Sequence, residues 1–209
     1  MRTTLYLLRH GATEANLANP PRLLGAKMNP ALAPVGVRQA ECTRDFIAVR
    51  PIDFCYCSPL KRARETAQII AAPHELDPVT CDGLIECDLG AWEGLDWDTI
   101  RARDAERYKM FVNNPARFGH PEGENYADVF TRADKAMAEI LERHAGQAVL
   151  VVAHHVVNRV YLAPLLGLGI ERARELSLDP CAISVIKHGE GKVSVATLNA
   201  AFHLQGLAA

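Results

Sequence analysis

The chain has 209 residues, 49% of them hydrophobic and 23% charged, with a formal net charge of -2 at pH 7. Those proportions exclude disordered and fibrous chains, and the slightly acidic balance speaks against nucleic acid as a partner, since domains that bind it carry a basic face. The apolar stretches Leu150 to Ala153 and Leu162 to Ile170 are interrupted by His154, His155, Pro164 and Gly167, short of the roughly 18 residues of a membrane span; with no leader pattern after Arg2, the expected location is the cytoplasm, without a membrane partner.

The run Thr4–Leu8 predicts a strand that stops at Arg9-His10-Gly11. Residues 33–49 carry helical periodicity, starting after Pro34. Phe54–Cys57 predicts a second strand, after which Ser58 and Pro59 suit the N-cap and first turn of a helix with apolar residues at 60, 63, 67 and 70. From about 88 to 125 the pattern changes to tryptophans, charges and turn formers, which reads as a loop and short-helix excursion over a crevice, with too few apolar residues for its own core. Residues 126–144 predict a helix with a stripe of Val129, Ala133, Ala136, Met137, Ile140 and Leu141. Val149–Ala153 predicts a strand buried on both faces. Residues 182–187 and 193–198 flank Gly189-Glu190-Gly191-Lys192 as a hairpin at the sheet edge. An exposed edge there leaves a homodimer open. The alternation of strand and helix predicts an α/β three-layer sandwich, a mostly parallel sheet with helices on both faces. One domain over 1–209 is expected, with the excursion as its cap. The cysteines at 42, 55, 57, 81, 87 and 181 form no C-x-x-C pair and suit reduced, packed thiols.

Charged residues recur at strand exits, where parallel sheets hold their ligands. Arg9 and His10 follow the first strand, His154 follows Val149–Ala153, and Arg62 lies in the first turn of the helix after Pro59. Glu86 precedes Leu89-Gly90-Ala91-Trp92-Glu93-Gly94. Two guanidiniums and two imidazoles around one carboxyl suit a phosphate dianion, because the arginine fork donates paired hydrogen bonds to its oxygens. A neutral imidazole can attack phosphorus, and a carboxyl can protonate the leaving oxygen and then activate water. Taken singly these residues have plainer readings: Arg62 could pair with Glu65 along its helix, and a histidine after a strand is often a hydrogen-bonded loop residue. A metal site on His154-His155 is disfavoured, since neighbouring residues at a strand end point apart.

Leu-Arg-His-Gly-x-Thr-x-x-Asn at 8–16, Ser-Pro-Leu-x-Arg-Ala-x-x-Thr-Ala at 58–67, Glu86 with the run 89–94, and His154 with Arg159 occur in this order. Together they resemble the histidine phosphatase superfamily, also called the phosphoglycerate mutase-like family. The resemblance implies His10 as the nucleophile that becomes phosphohistidine, Arg9, Arg62 and His154 as the phosphate clamp, and Glu86 as proton donor, with no metal and no cofactor. It assigns Asn16, Gly25, Asn125 and His155 to the substrate surroundings, leaves Glu93 structural and Trp92 a packing residue, and places His120 alone among the remaining histidines in the crevice cover. His74, His144, His188 and His203 match no motif position, and most of them are read as solvated or loop residues. Ala153 stands where the family often has serine, Leu24 is apolar where a polar residue is common, and His155 stands where glycine is common. The expected activity is metal-independent hydrolysis of a small-molecule phosphomonoester through phospho-His10. Phosphoglycerate mutase-type transfer shares the first half-reaction, and a non-catalytic phospholigand-binding module is the remaining alternative.

Overall fold

The computed structural model describes residues 2–189 and 191–207. Six strands form one sheet in the order β3-β2-β4-β1-β5-β6. They are β1 (Arg2–Arg9), β2 (Phe54–Cys57), β3 (Val79–Thr80), β4 (Ala148–Ala153), β5 (Ile183–Gly189) and β6 (Lys192–Ala200). β1 pairs in parallel with β4, β4 with β2, and β2 with β3; β5 is antiparallel to both β1 and β6. The expected hairpin is therefore present, with β6 at the edge; Glu190 lies outside the described residues.

Alternation along the central strands divides the core in two. Leu5, Leu7, Val149 and Val151 pack on one face with Met137 and Ile140 of α6 (Tyr126–Arg143) and Val157 and Val160 of α7 (His155–Leu165). Leu8, Leu150 and Val152 face the other way, onto Ala40 and Ile47 of α2 (Pro34–Ile47) and Ala63, Ala67 and Ile70 of α3 (Lys61–Ala71). Strands covered on both sides read as continuous apolar runs because no face meets water; all six residues of β4 are buried. Among the described residues no helix is long and apolar enough to cross a membrane.

The short helix α1 (Glu14–Leu17) follows β1, while α4 (Trp97–Arg103) and α5 (Ala105–Asn113) occupy the segment read as an excursion. Trp92 is 2% exposed in the core, its indole N–H donating to Asp104 Oδ2 at 3.1 Å. Two expectations fail here. Ser58 does not cap α3: the helix begins at Lys61, whose N–H donates to Asn29 Oδ1 at 2.6 Å. His144 is neither solvated nor in a loop surface; it is buried against Phe54, with Nε2 2.8 Å from the Tyr56 hydroxyl.

Candidate active site

Three adjacent parallel strands end at one edge of the sheet, and the residue after each belongs to the site. His10 N–H donates to Ala153 O at the exit of β1, Ser58 N–H donates to Val152 O at the exit of β2, and His154 leaves β4 as the N-cap of α7. The loop after β1 is then clamped. Gly11 N–H donates to Thr66 Oγ1 at 3.0 Å and Ala12 N–H to Gln39 Oε1 at 2.9 Å. A Cβ on Gly36 would collide with the Ala12 carbonyl, and one on Gly11 with Gly36 O, so two glycines let α2 press directly against this loop.

His10 is 4% exposed. Its Nδ1 lies 2.7 Å from the Gly11 carbonyl, which can only accept, so Nδ1 carries the proton and Nε2 the lone pair. The Arg62 Nε–H donates to that Nε2 at 3.3 Å. Burial first, then the nearby guanidiniums of Arg62 and Arg9, hold the imidazole well below its usual range, so it is neutral at pH 7.

Arg62 is fully buried and does not pair with Glu65. Its terminal nitrogens donate to Met28 O at 2.9 Å and Gly25 O at 3.0 Å. Those carbonyls are held by Glu93, whose carboxylate accepts from the N–H groups of Gly25, Lys27 and Met28. Glu93 is thus a structural residue one step behind the arginine.

The His154 ring stands edge-on to His10, centroids 5.1 Å apart. Its Nε2 lies 2.7 Å from Ser58 Oγ, and its Nδ1 is buried without a partner among the described residues. Burial, followed by Arg62, keeps this imidazole neutral as well. Arg9 donates from Nη1 to Leu178 O at 2.8 Å, while its Nε is also buried and has no partner among the described residues. Burial pulls the Arg9 pKa down to about 10, with Glu86 opposing, so it keeps its charge at pH 7. Orphaned buried polar atoms are rare in folded proteins, and each calls for an explanation.

Glu86 sits over the N-terminus of α7. Its side-chain oxygens accept from Val156 N–H at 3.2 Å, Val157 N–H at 3.4 Å and Cys87 N–H at 2.8 Å, which fixes the orientation of the carboxyl group.

Arg9, His10, Glu86, Asn16 and His155 line one cavity of about 600 Å³. Asn16 also accepts from Thr13 N–H and Oγ, which closes the turn of α1. Burial, then Arg9, lowers the His155 pKa well below its usual range. Arg62 and His154, both fully buried, are not among the residues that line it, and two of the expected substrate contacts, Gly25 and Asn125, are not brought there either. Gly25 lies behind Arg62, with its carbonyl spent on the guanidinium, and a Cβ would meet Cys87 O and Leu89. Asn125 caps α6, its side chain accepting from Asp128 N–H at 2.9 Å. The far wall holds residues that no motif singled out: Arg22, Trp97, Asp98, Phe111, Tyr126 and Arg174. Their only sequence signal is membership of the excursion, of loops after the motifs or, for Tyr126, of the first turn of α6. His120, expected in the cover, lines the cavity while 5% exposed, its Nδ1–H donating to Glu124 O at 2.9 Å.

The sequence model of the histidine phosphatase superfamily (branch 1) matches residues 5–201. A protein of Hydrogenobacter thermophilus named phosphoserine phosphatase 1 is 30% identical over 200 residues, covering 96% of this chain and 93% of that one. A bifunctional protein of Mycobacterium tuberculosis is 34% identical over 199 residues; the match covers 94% of this chain but 54% of that protein. Among solved structures, YhfR of Bacillus stearothermophilus superposes with a TM-score of 0.89 at 30% identity, covering 97% of this chain and 100% of the other.

Proposed function

The chain belongs to the histidine phosphatase superfamily (branch 1), and from that premise we propose that it hydrolyses phosphomonoesters with His10 as nucleophile. The observation that carries this reading is the state of His10: neutral, Nδ1–H tied to a carbonyl, and the Nε2 lone pair turned toward Arg62. In the first step a P–Nε2 bond forms as the P–O bond to the leaving group breaks, and that oxygen takes a proton from the Glu86 carboxylic acid. In the second, water attacks phosphorus, the P–Nε2 bond breaks, and Glu86 takes the water's proton. Arg62 Nε–H, which rests on the attacking lone pair, passes to a phosphoryl oxygen when substrate arrives. Arg9 Nε and His154 Nδ1 gain in the same oxygens the partners they otherwise lack. Arg9 and Arg62 then offset charge on the phosphoryl group through both steps.

The chain acts as one domain, with 88–125 as a cap that contributes Trp97, Asp98 and Phe111 to the cavity wall. Its six cysteines are unbridged, which suits a reducing compartment, and on that ground we assign it to the cytoplasm. Rapid quenching during turnover of p-nitrophenyl phosphate tests the mechanism. A phosphoenzyme that survives alkali and is lost in acid is expected; turnover without one overturns the reading.

A further inference from the structure

The segment that carries Glu86 has no ladder to hold it. Between the turns Asp82–Leu84 and Gly90–Trp92 the chain is irregular, and among the described residues no strand pairs with it. Its carbonyls converge instead on one side chain, Arg132 of α6. Arg132 donates from Nη1 to Gly83 O at 3.0 Å and Ile85 O at 2.5 Å, and from Nη2 to Glu86 O at 3.1 Å. Gly83 permits this approach, since a Cβ there would strike Ala136 and crowd the Arg132 carbonyl on the helix. The remaining N–H groups, on Nε and Nη2, donate to Glu124 Oε1 at 2.8 Å and Oε2 at 2.9 Å. A guanidinium has five N–H groups, and five acceptors here use them all.

The same glutamate holds the chain on the other side of Glu86. Glu124 Oε2 accepts from Asp88 N–H at 2.8 Å, and Glu124 N–H donates to Asp88 O at 2.9 Å. Glu86 is thus bracketed, with Arg132 gripping residues 83, 85 and 86 and Glu124 gripping residue 88. Both side chains are half-buried, and neither lines the catalytic cavity, so their route to the substrate runs through Glu86. A planar fork with every donor committed fixes the backbone in rotation as well as position, which a lysine on a flexible stem does not. Proton transfer needs the acid within about 3 Å of the leaving oxygen, and a misplacement of about 1 Å costs roughly 10²-fold. We propose that Arg132, locked by Glu124, is the positioning residue for the Glu86 proton donor. This rests on the reading of Glu86 as the acid.

Leaving groups of different basicity separate positioning of the acid from general support of the fold. Glycerol 3-phosphate releases an oxygen that must be protonated, whereas p-nitrophenolate departs without a proton. Arg132→Gln should lower kcat for glycerol 3-phosphate by roughly 10²-fold and for p-nitrophenyl phosphate by far less. Arg132→Lys, which keeps the charge and loses the fork, should show the same pattern. Added to Glu86→Gln, the Arg132→Gln change should cause no further loss on glycerol 3-phosphate, because the proton it positions is already gone. Equal proportional losses on both substrates, unchanged rates, or a full additional loss in the double variant overturn the proposal. Should Arg132→Gln not fold, Glu124→Gln, which weakens one half of the lock, faces the same two substrates, and a proportional or absent loss there overturns it. If Glu86→Gln alone slows both substrates equally, the assignment of Glu86 as acid fails, and the positioning role falls with it.

Discussion

Each residue of the proposed machinery owes its state to a neighbour that holds it. His10 is a usable nucleophile because Gly11 O fixes its tautomer while burial and two guanidiniums keep it neutral. Glu86 is aimed by three backbone N–H groups, two of them from the helix that His154 caps. If Glu86 supplies the leaving-group proton, Glu86→Gln should cost alkyl phosphates roughly 10²–10⁴ in kcat, the usual worth of a positioned acid. It should cost p-nitrophenyl phosphate far less, because p-nitrophenolate departs without a proton. Steady-state rates on both substrates check this, and equal losses would remove Glu86 from the role. Sequence motifs made Arg9, His10, Arg62, Glu86 and His154 legible because their chemistry demands fixed residue types at fixed places. The part of Ser58 was misread: a serine before proline fits a helix cap, and only the convergence of β2 with β4 turns its hydroxyl toward His154. Asn125 and Gly25 mislead in the opposite sense, one claimed by a helix cap and the other by Arg62. Arg174 was invisible because a lone arginine in a loop carries no periodicity.

At the level of elements, the strands were legible wherever burial on both faces wrote an unbroken apolar run, as in β1, β2 and β4. The two-residue β3 and the short turn Asp82–Leu84 were not, since Val79 and Thr80 are exposed and show no pattern. The contact between α2 and the loop after β1 is equally unreadable in sequence, because a glycine inside a helical pattern looks like a weak helix position. The structure gives Gly36 a specific use: it admits the Ala12 carbonyl to the helix surface. Gly36→Ala should therefore act as an overpacking change, destabilising by about 1–3 kcal/mol and lowering Tm by roughly 2–12 °C. Any folded fraction should also lose kcat, since the displaced loop carries His10. Calorimetry and kinetics on the variant check this; an unchanged Tm would mean that the two segments separate at no cost.

Across the whole molecule, the site trades acid stability for a neutral, buried pair of imidazoles. His10 and His154 have folded pKa values well below 6.5, whereas in the unfolded chain they regain their ordinary values. Below about pH 6.5 the unfolded state therefore binds protons that the folded state refuses, and stability falls as pH falls. The slope approaches about 1.4 kcal/mol per pH unit for each histidine. Urea unfolding between pH 7 and pH 5 should show this loss, and His154→Gln should make the dependence shallower; a curve unaltered by that substitution would contradict the burial account. The central claim is that His10 carries the phosphoryl group. The direct measurement is peptide mapping, under alkaline conditions, of enzyme quenched during turnover of p-nitrophenyl phosphate. The account predicts phosphate on the histidine of the peptide that contains Arg9-His10-Gly11, and none in His10→Ala. Phosphate on another residue, or full turnover by His10→Ala, would contradict it.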